Sequence, residues 1–342
     1  MFKDYLESRK GYINRKIDSF LPEKISLEWL NENIGGNDYD EESISSMLLP
    51  AKELIKRGGK RWRPALMLLC CKAVNGGSKI QDLVPLVEII HNGTLMIDDV
   101  EDNSDKRRGK ESIHRIFGTD TAINTGNLMY YLPYIILKKI DVDKKLKLEM
   151  HEIIAEEMLK LHLGQGMDIF WHNNSRIPDE QAYLQMCAFK TGTLARMSAK
   201  LGASFGDAGK KQKDALGNFA ESIGIAFQIQ DDILNISGRL GKEYGDDISE
   251  GKKTLMVIKA AEKATPEDMK RLLDILSMKT KDPGLIQEAV DILNKYHTVQ
   301  YARSRAKEIV RDAWRSLSPL IKESDSKKKL KMFADFLVER EI

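Results

Sequence analysis

The chain predicts an all-α protein: a single large helical bundle preceded by a short helical arm. Apolar residues recur at spacings of three and four, as in Leu146, Met150, Ile153, Ile154, Met158 and Leu161. Ile286, Val290, Leu293, Val299, Ile309 and Trp314 repeat the pattern over 286–317. No stretch alternates apolar and polar residues as a half-buried strand would.

The breaks order the chain. Gly35-Gly36-Asn37-Asp38 separates an arm, residues 1–36, from a domain over 37–342. Asn75-Gly76-Gly77-Ser78 and Gly206-Asp207-Ala208-Gly209 read as short interhelical turns. Two charged loops, 103–111 and 237–253, each directly follow an aspartate cluster. Lys327, Lys328 and Lys329 read as the solvated start of the last helix, with a lipid surface as the weaker alternative.

Composition bounds the function. The 342 residues are 42% hydrophobic and 31% charged, enough for both a core and a solvated surface. A net charge of +2 gives no global field to attract nucleic acid, so any anion site is local. Three cysteines in no metal-binding spacing read as buried thiols of a reducing compartment. The charged start Met1-Phe2-Lys3-Asp4-Tyr5 does not read as a secretory leader, and no apolar run is long enough to span a bilayer. A cytoplasmic protein is expected.

The first cluster is Asp98-Asp99-Val100-Glu101-Asp102, at the end of an apolar helical run. Asp98 and Asp102 are four apart and share a helix face, about 6 Å apart along the axis. Their charges repel, and a helix C-terminus disfavours carboxylates. A cation would offset both penalties, and hard carboxylate oxygens suit Mg²⁺. Read alone, the motif is equally a solvated acidic helix end. His91 lies two turns back, either a structural histidine or part of the same site.

The second cluster, Gln228-Ile229-Gln230-Asp231-Asp232-Ile233-Leu234-Asn235, has the same design. Asn235 replaces a carboxylate with an uncharged oxygen donor. The glutamines read either as helix-bridging amides or as site residues. Two matching clusters are far less expected by chance than one. If their helices pack side by side, two acidic rims face across a cavity. Basic sets accompany them: Lys60, Arg61 and Arg63 after Gly58-Gly59; Lys106, Arg107, Arg108 and Lys110 after the first cluster; Lys242, Lys252 and Lys253 after the second. Together they describe two diphosphate sites, one bridged by metal and one held by cations alone.

From Gly58 to Thr254 these residues match a known family in order and spacing. The chain resembles the trans-isoprenyl diphosphate synthases, or polyprenyl synthetases. The match comprises Gly58 to Pro64, Asp98 to Ser104 with Arg107 to Lys110, Gly164-Gln165-Gly166-Met167-Asp168, Phe189-Lys190-Thr191-Gly192, and Phe227 to Asp232. Within the family it looks most like geranylgeranyl diphosphate synthases of the eukaryotic type, which share Phe170-Trp171 and an asparagine at Asn235.

The resemblance implies an all-α isoprenoid-synthase bundle with a central substrate cavity, and a homodimer. It implies condensation of isopentenyl diphosphate with an allylic diphosphate, assisted by three Mg²⁺. Asp98, Asp102 and Asp231 would hold the metals, with Asp99, Asp232 and Asn235 as further donors. Arg107, Lys190, Lys242 and Lys252 would neutralise the allylic diphosphate. Lys60, Arg63, His91 and Arg108 would hold isopentenyl diphosphate. Thr191 and Gln228 would face the allylic cation, although Thr191 could also kink its helix by bonding back to a carbonyl. Gly93 and Thr94, five and four residues before Asp98, would set the depth of the tail pocket. Both are small, which implies a product longer than fifteen carbons, with twenty expected. Tyr130, Tyr131 and Tyr134 would either floor the pocket or belong to the core. A longer-chain synthase, a class I terpene cyclase and a non-catalytic synthase subunit are the alternatives. A cyclase would lack the second Asp-Asp motif and the Lys60, Arg63 and His91 set, and subunits tend to lose one aspartate motif.

Overall fold

A computed structural model describes residues 2–22, 24–36, 38–174, 176–237 and 244–338. Among them the helices are α1 (Phe2–Phe20), α2 (Leu27–Asn33), α3 (Glu41–Lys56), α4 (Trp62–Ala73), α5 (Val84–Glu101), α6 (Ile113–Phe117), α7 (Thr119–Tyr131), α8 (Tyr134–Lys139), α9 (Lys144–His172), α10 (Glu180–Cys187), α11 (Thr193–Phe205), α12 (Lys210–Asn235), α13 (Asp246–Glu250), α14 (Leu255–Lys263), α15 (Pro266–Met278), α16 (Pro283–Lys295), α17 (Thr298–Leu317) and α18 (Asp325–Val338). Expected and observed fold class agree. A two-stranded antiparallel hairpin, β1 (Lys106–Arg107) and β2 (Lys110–Glu111), was not expected.

The centre is α11, buried on nearly every side. It packs between α4, α9 and α12. Its small residues Ala195, Ser198, Ala199, Gly202 and Ala203 let those neighbours approach closely. α5 lies against α4 and α7, and α17 runs along the outside of α12. α1 packs on α4, α5 and α18, where Phe2 stacks on Phe333 with ring centroids 4.5 Å apart.

One helix expected from periodicity differs in extent, and one surface expectation differs in burial. The run over 286–317 is broken into α16 and α17 at His297, whose φ of 55° lies in the left-handed region. Each of the two helices buries its own apolar stripe, Ile286, Val290 and Leu293 in α16 and Ala302, Ala306 and Val310 in α17. The lysine run is only partly solvated: Lys327 is buried, its amine donating to Ile321 O at 3.2 Å and to Glu323.

Close helix approach depends on a few glycines. A Cβ at Gly224 of α12 would lie 2.5 Å from Gly192 Cα and 3.1 Å from Thr191 O. Both contacts are backbone and cannot swing aside. Gly224→Ala is therefore expected to destabilise the chain by about 1–3 kcal/mol, through overpacking. A thermal melt with an unchanged midpoint would refute the close approach.

Candidate active site

The carboxylates at the C-terminal end of α5 meet cations from three other segments. Lys190 Nζ lies 3.3 Å from Asp98 and 2.7 Å from Asp168 of α9. Gln165 Nε2 donates to Asp98 at 3.2 Å and to Glu101 at 2.7 Å. Arg107 on β1 reaches Asp98 at 3.3 Å. Lys252 lies 3.6 Å from Asp102 and 3.5 Å from Asp247, and it also pairs with Glu250. Burial and Asp98 raise Asp102 above the usual carboxylate range, while Lys252 and Lys190 hold it down. Asp98 and Asp102 thus share a cationic frame, as their spacing of one turn implies.

Asp99 differs. Its side chain is fully buried and clamped by Arg107, with Nε at 2.7 Å. Burial pushes it up to about 6 against the pull of that guanidinium. Asp99 anchors the hairpin that carries Arg107 and is turned away from the rim, contrary to the expectation of a further metal donor.

Lys190 and Thr191 sit in a π-turn, Ala188–Gly192. Such turns insert a residue into a helix and re-aim side chains. The expected back-bond to a carbonyl belongs instead to Thr193, whose Oγ1 donates to Ala188 O at 3.4 Å. Thr191 Oγ1 donates across to Gln228 Oε1 at 2.7 Å.

At the end of α12, Asp231 is half-buried. Asp232 is buried among Tyr183, Gln228 and Asp247, and burial first, then Asp247, raises it to about 8. Asn235 turns inward: its Oδ1 accepts the Asp247 N–H at 3.1 Å, and its backbone carbonyl accepts that of Gly245. It closes the loop back onto the helix and does not serve as an outward donor. Lys242 lies outside the described residues. Asp98 pairs with Lys190, whose neighbour Thr191 bonds Gln228 of the second cluster, while Lys252 ties Asp102 to Asp247 of α13.

The second basic set lies apart from these carboxylates. Arg63 stacks over Trp62, 4.4 Å from the ring centroid, with Nη1 3.1 Å from His91 Nε2. Arg108, at φ 55°, donates to Leu54 O and Asn92 Oδ1, both at 3.1 Å. Exposed Lys60 lies over Phe227. Burial lowers both Arg63 and Arg108 to about 10, and burial with the surrounding arginines keeps His91 neutral. The nearby carboxylate Glu88 is taken by buried Arg61 at 2.6 Å. This leaves a local excess of positive charge suited to an anion without metal. Arg57, which sequence reasoning missed, binds Arg107 O at 3.2 Å and Glu111 O at 2.7 Å and so fixes the hairpin between the two sets.

The tail pocket is less as expected. Gly93 faces α7: a Cβ there would meet Met129 Cβ at 2.9 Å and Gly126 O at 3.0 Å. Its small size serves helix contact. Thr94 is half-buried and bonds back to His91 O at 2.8 Å. Tyr131 is 71% exposed and cannot be a floor. Tyr130 is buried, edge-on to His162, and Tyr134 stacks on His151. A cavity of 230 Å³ lies elsewhere, lined by Glu149, Lys200 and Lys213, so volume alone does not mark the chemistry.

Sequence reasoning also missed Tyr183, Asp247 and Glu250. Gln165 and Asp168 lay within a matched motif, but their placement beside Lys190 was not legible.

The comparisons agree with this geometry. The sequence model of the polyprenyl synthetase family matches residues 45–293. A short chain isoprenyl diphosphate synthase of Methanothermobacter thermautotrophicus is 34% identical over 309 residues, covering 88% of this chain and 94% of its own. A geranylgeranyl pyrophosphate synthase of Geoglobus acetivorans is 31% identical over the full length of both. The crystal structure of geranylgeranyl pyrophosphate synthetase from Pyrococcus horikoshii superposes with a TM-score of 0.86 at 30% identity, covering 99% of this chain and 98% of that one. With its fold, its paired aspartate clusters and its relatives in accord, the chain belongs to the polyprenyl synthetase family and is a trans-prenyltransferase that elongates isoprenyl diphosphates.

Proposed function

We propose that the chain condenses isopentenyl diphosphate with an allylic diphosphate to make a C20 product. The carboxylate rim laced with Lys190 and Lys252, beside a separate arginine set, carries this reading: one site suits ionisation, the other only binding. The rim offers hard carboxylate oxygens, the donor type Mg²⁺ takes. Among the described residues no three such groups form a cage by themselves, and Mg²⁺ usually keeps several waters and shares phosphate ligands, so an ion held here would take the rest of its ligands from diphosphate and water. Asp98, Asp102 and Asp231 would hold three ions. When bound, Mg²⁺ supplies Lewis-acid charge neutralisation at the departing diphosphate.

Lys190, Lys252 and Arg107 add fixed positive charge where that diphosphate leaves. Lys60, Arg63, His91 and Arg108 hold isopentenyl diphosphate. The allylic C–O bond breaks, the alkene π pair forms the new C–C bond, and the resulting cation loses a proton to a pyrophosphate oxygen. Gln228 Oε1 and Thr191 turn oxygen dipoles to the cation without a nucleophile that would be alkylated. The relatives' names and the small Thr94, one turn before Asp98, favour C20. Residues 1–36 serve as an arm that braces the basic loop, supported by Asn14 Oδ1 accepting from Arg61 Nε at 2.9 Å.

Exposed Leu148, Leu159, Leu163 and Phe170 fall on one face of α9, with exposed Ile123 and Tyr131 on α7. This apolar surface supports a homodimer. Among the described residues no helix is long and apolar enough to cross a membrane, in keeping with a cytoplasmic enzyme.

Asp98→Ala should lower turnover by at least about 10³-fold, since it would remove a ligand of the ion that neutralises the leaving group. Arg63→Ala should chiefly raise KM for isopentenyl diphosphate. Mass-spectrometric product analysis with each allylic primer should give C20; farnesyl diphosphate alone, or C30 and longer, would refute the chain length. Leu159→Asp with Leu163→Asp should give a monomer by light scattering.

Elevated carboxyls also imply a pH effect. Asp232 at about 8 and Glu250 at about 7 bind protons in the folded chain that the unfolded chain has already lost. Stability from these groups is present at lower pH and lost as pH rises through their folded values. The metal-free melting temperature should fall between about pH 7 and about pH 8.5, and fall less with Mg²⁺ and pyrophosphate. A melting temperature that rises over that window would contradict this.

A further inference from the structure

We propose that Tyr183, which lies outside both aspartate motifs, positions the Gln228 amide through Asp232. The inference rests on the assignment of Gln228 and Thr191 to the allylic cation. Tyr183 is 1% exposed and projects from α10 into the bundle. Its hydroxyl donates to Asp232 Oδ2 at 2.7 Å. Asp232 Oδ1 accepts from Gln228 Nε2 at 2.8 Å, one turn back on α12. Gln228 Oε1 accepts from Thr191 Oγ1 at 2.7 Å. Four side chains on three segments form one directed chain, each distance well inside the hydrogen-bond range.

Direction matters because an amide has two different ends. Its nitrogen only donates and its oxygen only accepts. With the nitrogen committed to Asp232, the oxygen is left facing Thr191. A flipped amide would set its oxygen against Asp232 Oδ1, which bears no proton whether Asp232 is ionised or protonated on Oδ2 beside Tyr183, and would turn its N–H groups toward a developing cation. Both consequences are repulsive, and in a buried site they are poorly screened. Tyr183 keeps the carboxylate from rotating out of this alignment. Asp232 is thereby an internal positioning residue: both of its oxygens are engaged within the bundle, and Asp231 is left as the outward carboxylate of the pair.

Tyr183→Phe removes the hydroxyl and keeps the ring. In the full-length enzyme with Mg²⁺ and both diphosphates, it should lower kcat about 10- to 100-fold, the range seen when residues that orient a reacting group are lost. KM for both substrates should stay within about twofold. In a Gln228→Ala background, with no amide left to aim, the same change should alter kcat by less than about twofold. Equal losses in both backgrounds, or no loss in the native one, would overturn the proposal. A second readout does not need activity. The Gln228 side-chain amide protons, assigned by their disappearance in Gln228→Ala, should exchange slowly in the native protein and quickly in Tyr183→Phe. Fast exchange in the native protein overturns the positioning claim. A native protein with slow exchange and no elongation would overturn the catalytic reading alone and leave the positioning claim standing.

Discussion

Mutual repulsion of carboxylates at helix C-termini is the constraint around which the rest is arranged. Asp98 and Asp102 end α5, Asp231 ends α12, and Asp168 and Asp247 stand close by. Helix dipoles make the C-terminal ends of α5, α9 and α12 worse for an anion, whereas Asp247, in the first turn of α13, is favoured by its own helix. The chain offsets this with lysines drawn from other segments. Lys190 answers Asp98 and Asp168, and Lys252 answers Asp102, Asp247 and Glu250. Their surrounding carboxylates hold both lysines above the ordinary range, so their charge persists at any physiological pH. A site balanced in this way brings carboxylates and cations together within a few ångströms, as the proposed metal-bridged diphosphate site requires.

Aim requires a rigid base. Beneath the π-turn, fully buried Glu157 of α9 accepts two bonds from Arg196 Nε of α11, at 2.9 and 2.7 Å. Arg196 also pairs with Glu221 of α12 and donates to Thr193 Oγ1 at 3.2 Å. Such a buried network contributes little net stability compared with apolar packing, but breaking it leaves a charge stranded. Its geometric effect is to pin α9, α11 and α12 together one turn below Lys190 and Thr191. Gly192 and Gly224 then bring the backbones into contact at the turn itself.

What could be read from the sequence follows from the range of the interactions. Helices and the two aspartate clusters are local patterns, so periodicity and i, i+4 spacing exposed them. Arg63, His91 and Arg108 converge from three segments, and only the family's motif order united them beforehand. Asp99 and Asn235 misled because spacing within a motif does not show which face a side chain takes. Both are turned inward, to Arg107 and to the Asp247 amide. Gly93 misled for a related reason: a small residue can make room for a ligand or for a neighbouring helix, and here α7 fills the space. Tyr183 gave no signal, because a lone tyrosine on a short helix looks like core until its partner is known.

On the proposed reading, the two anion sites divide the labour by chemistry. A diphosphate at the carboxylate rim is neutralised most strongly as it departs, when its charge is greatest, so binding there favours the transition state over the ground state. A diphosphate at Arg63 and Arg108 meets cations that burial has already made uncomfortable, and its binding relieves them in ground and transition state alike. Uniform binding of that kind holds a substrate without cleaving it. Both substrates carry the same headgroup, so the headgroup alone cannot tell the chain which molecule is to ionise. The difference between a metal-dependent site and a cation-only site can, and the hairpin that Arg57 holds in place, with Arg107 on one side and Arg108 on the other, keeps the two apart.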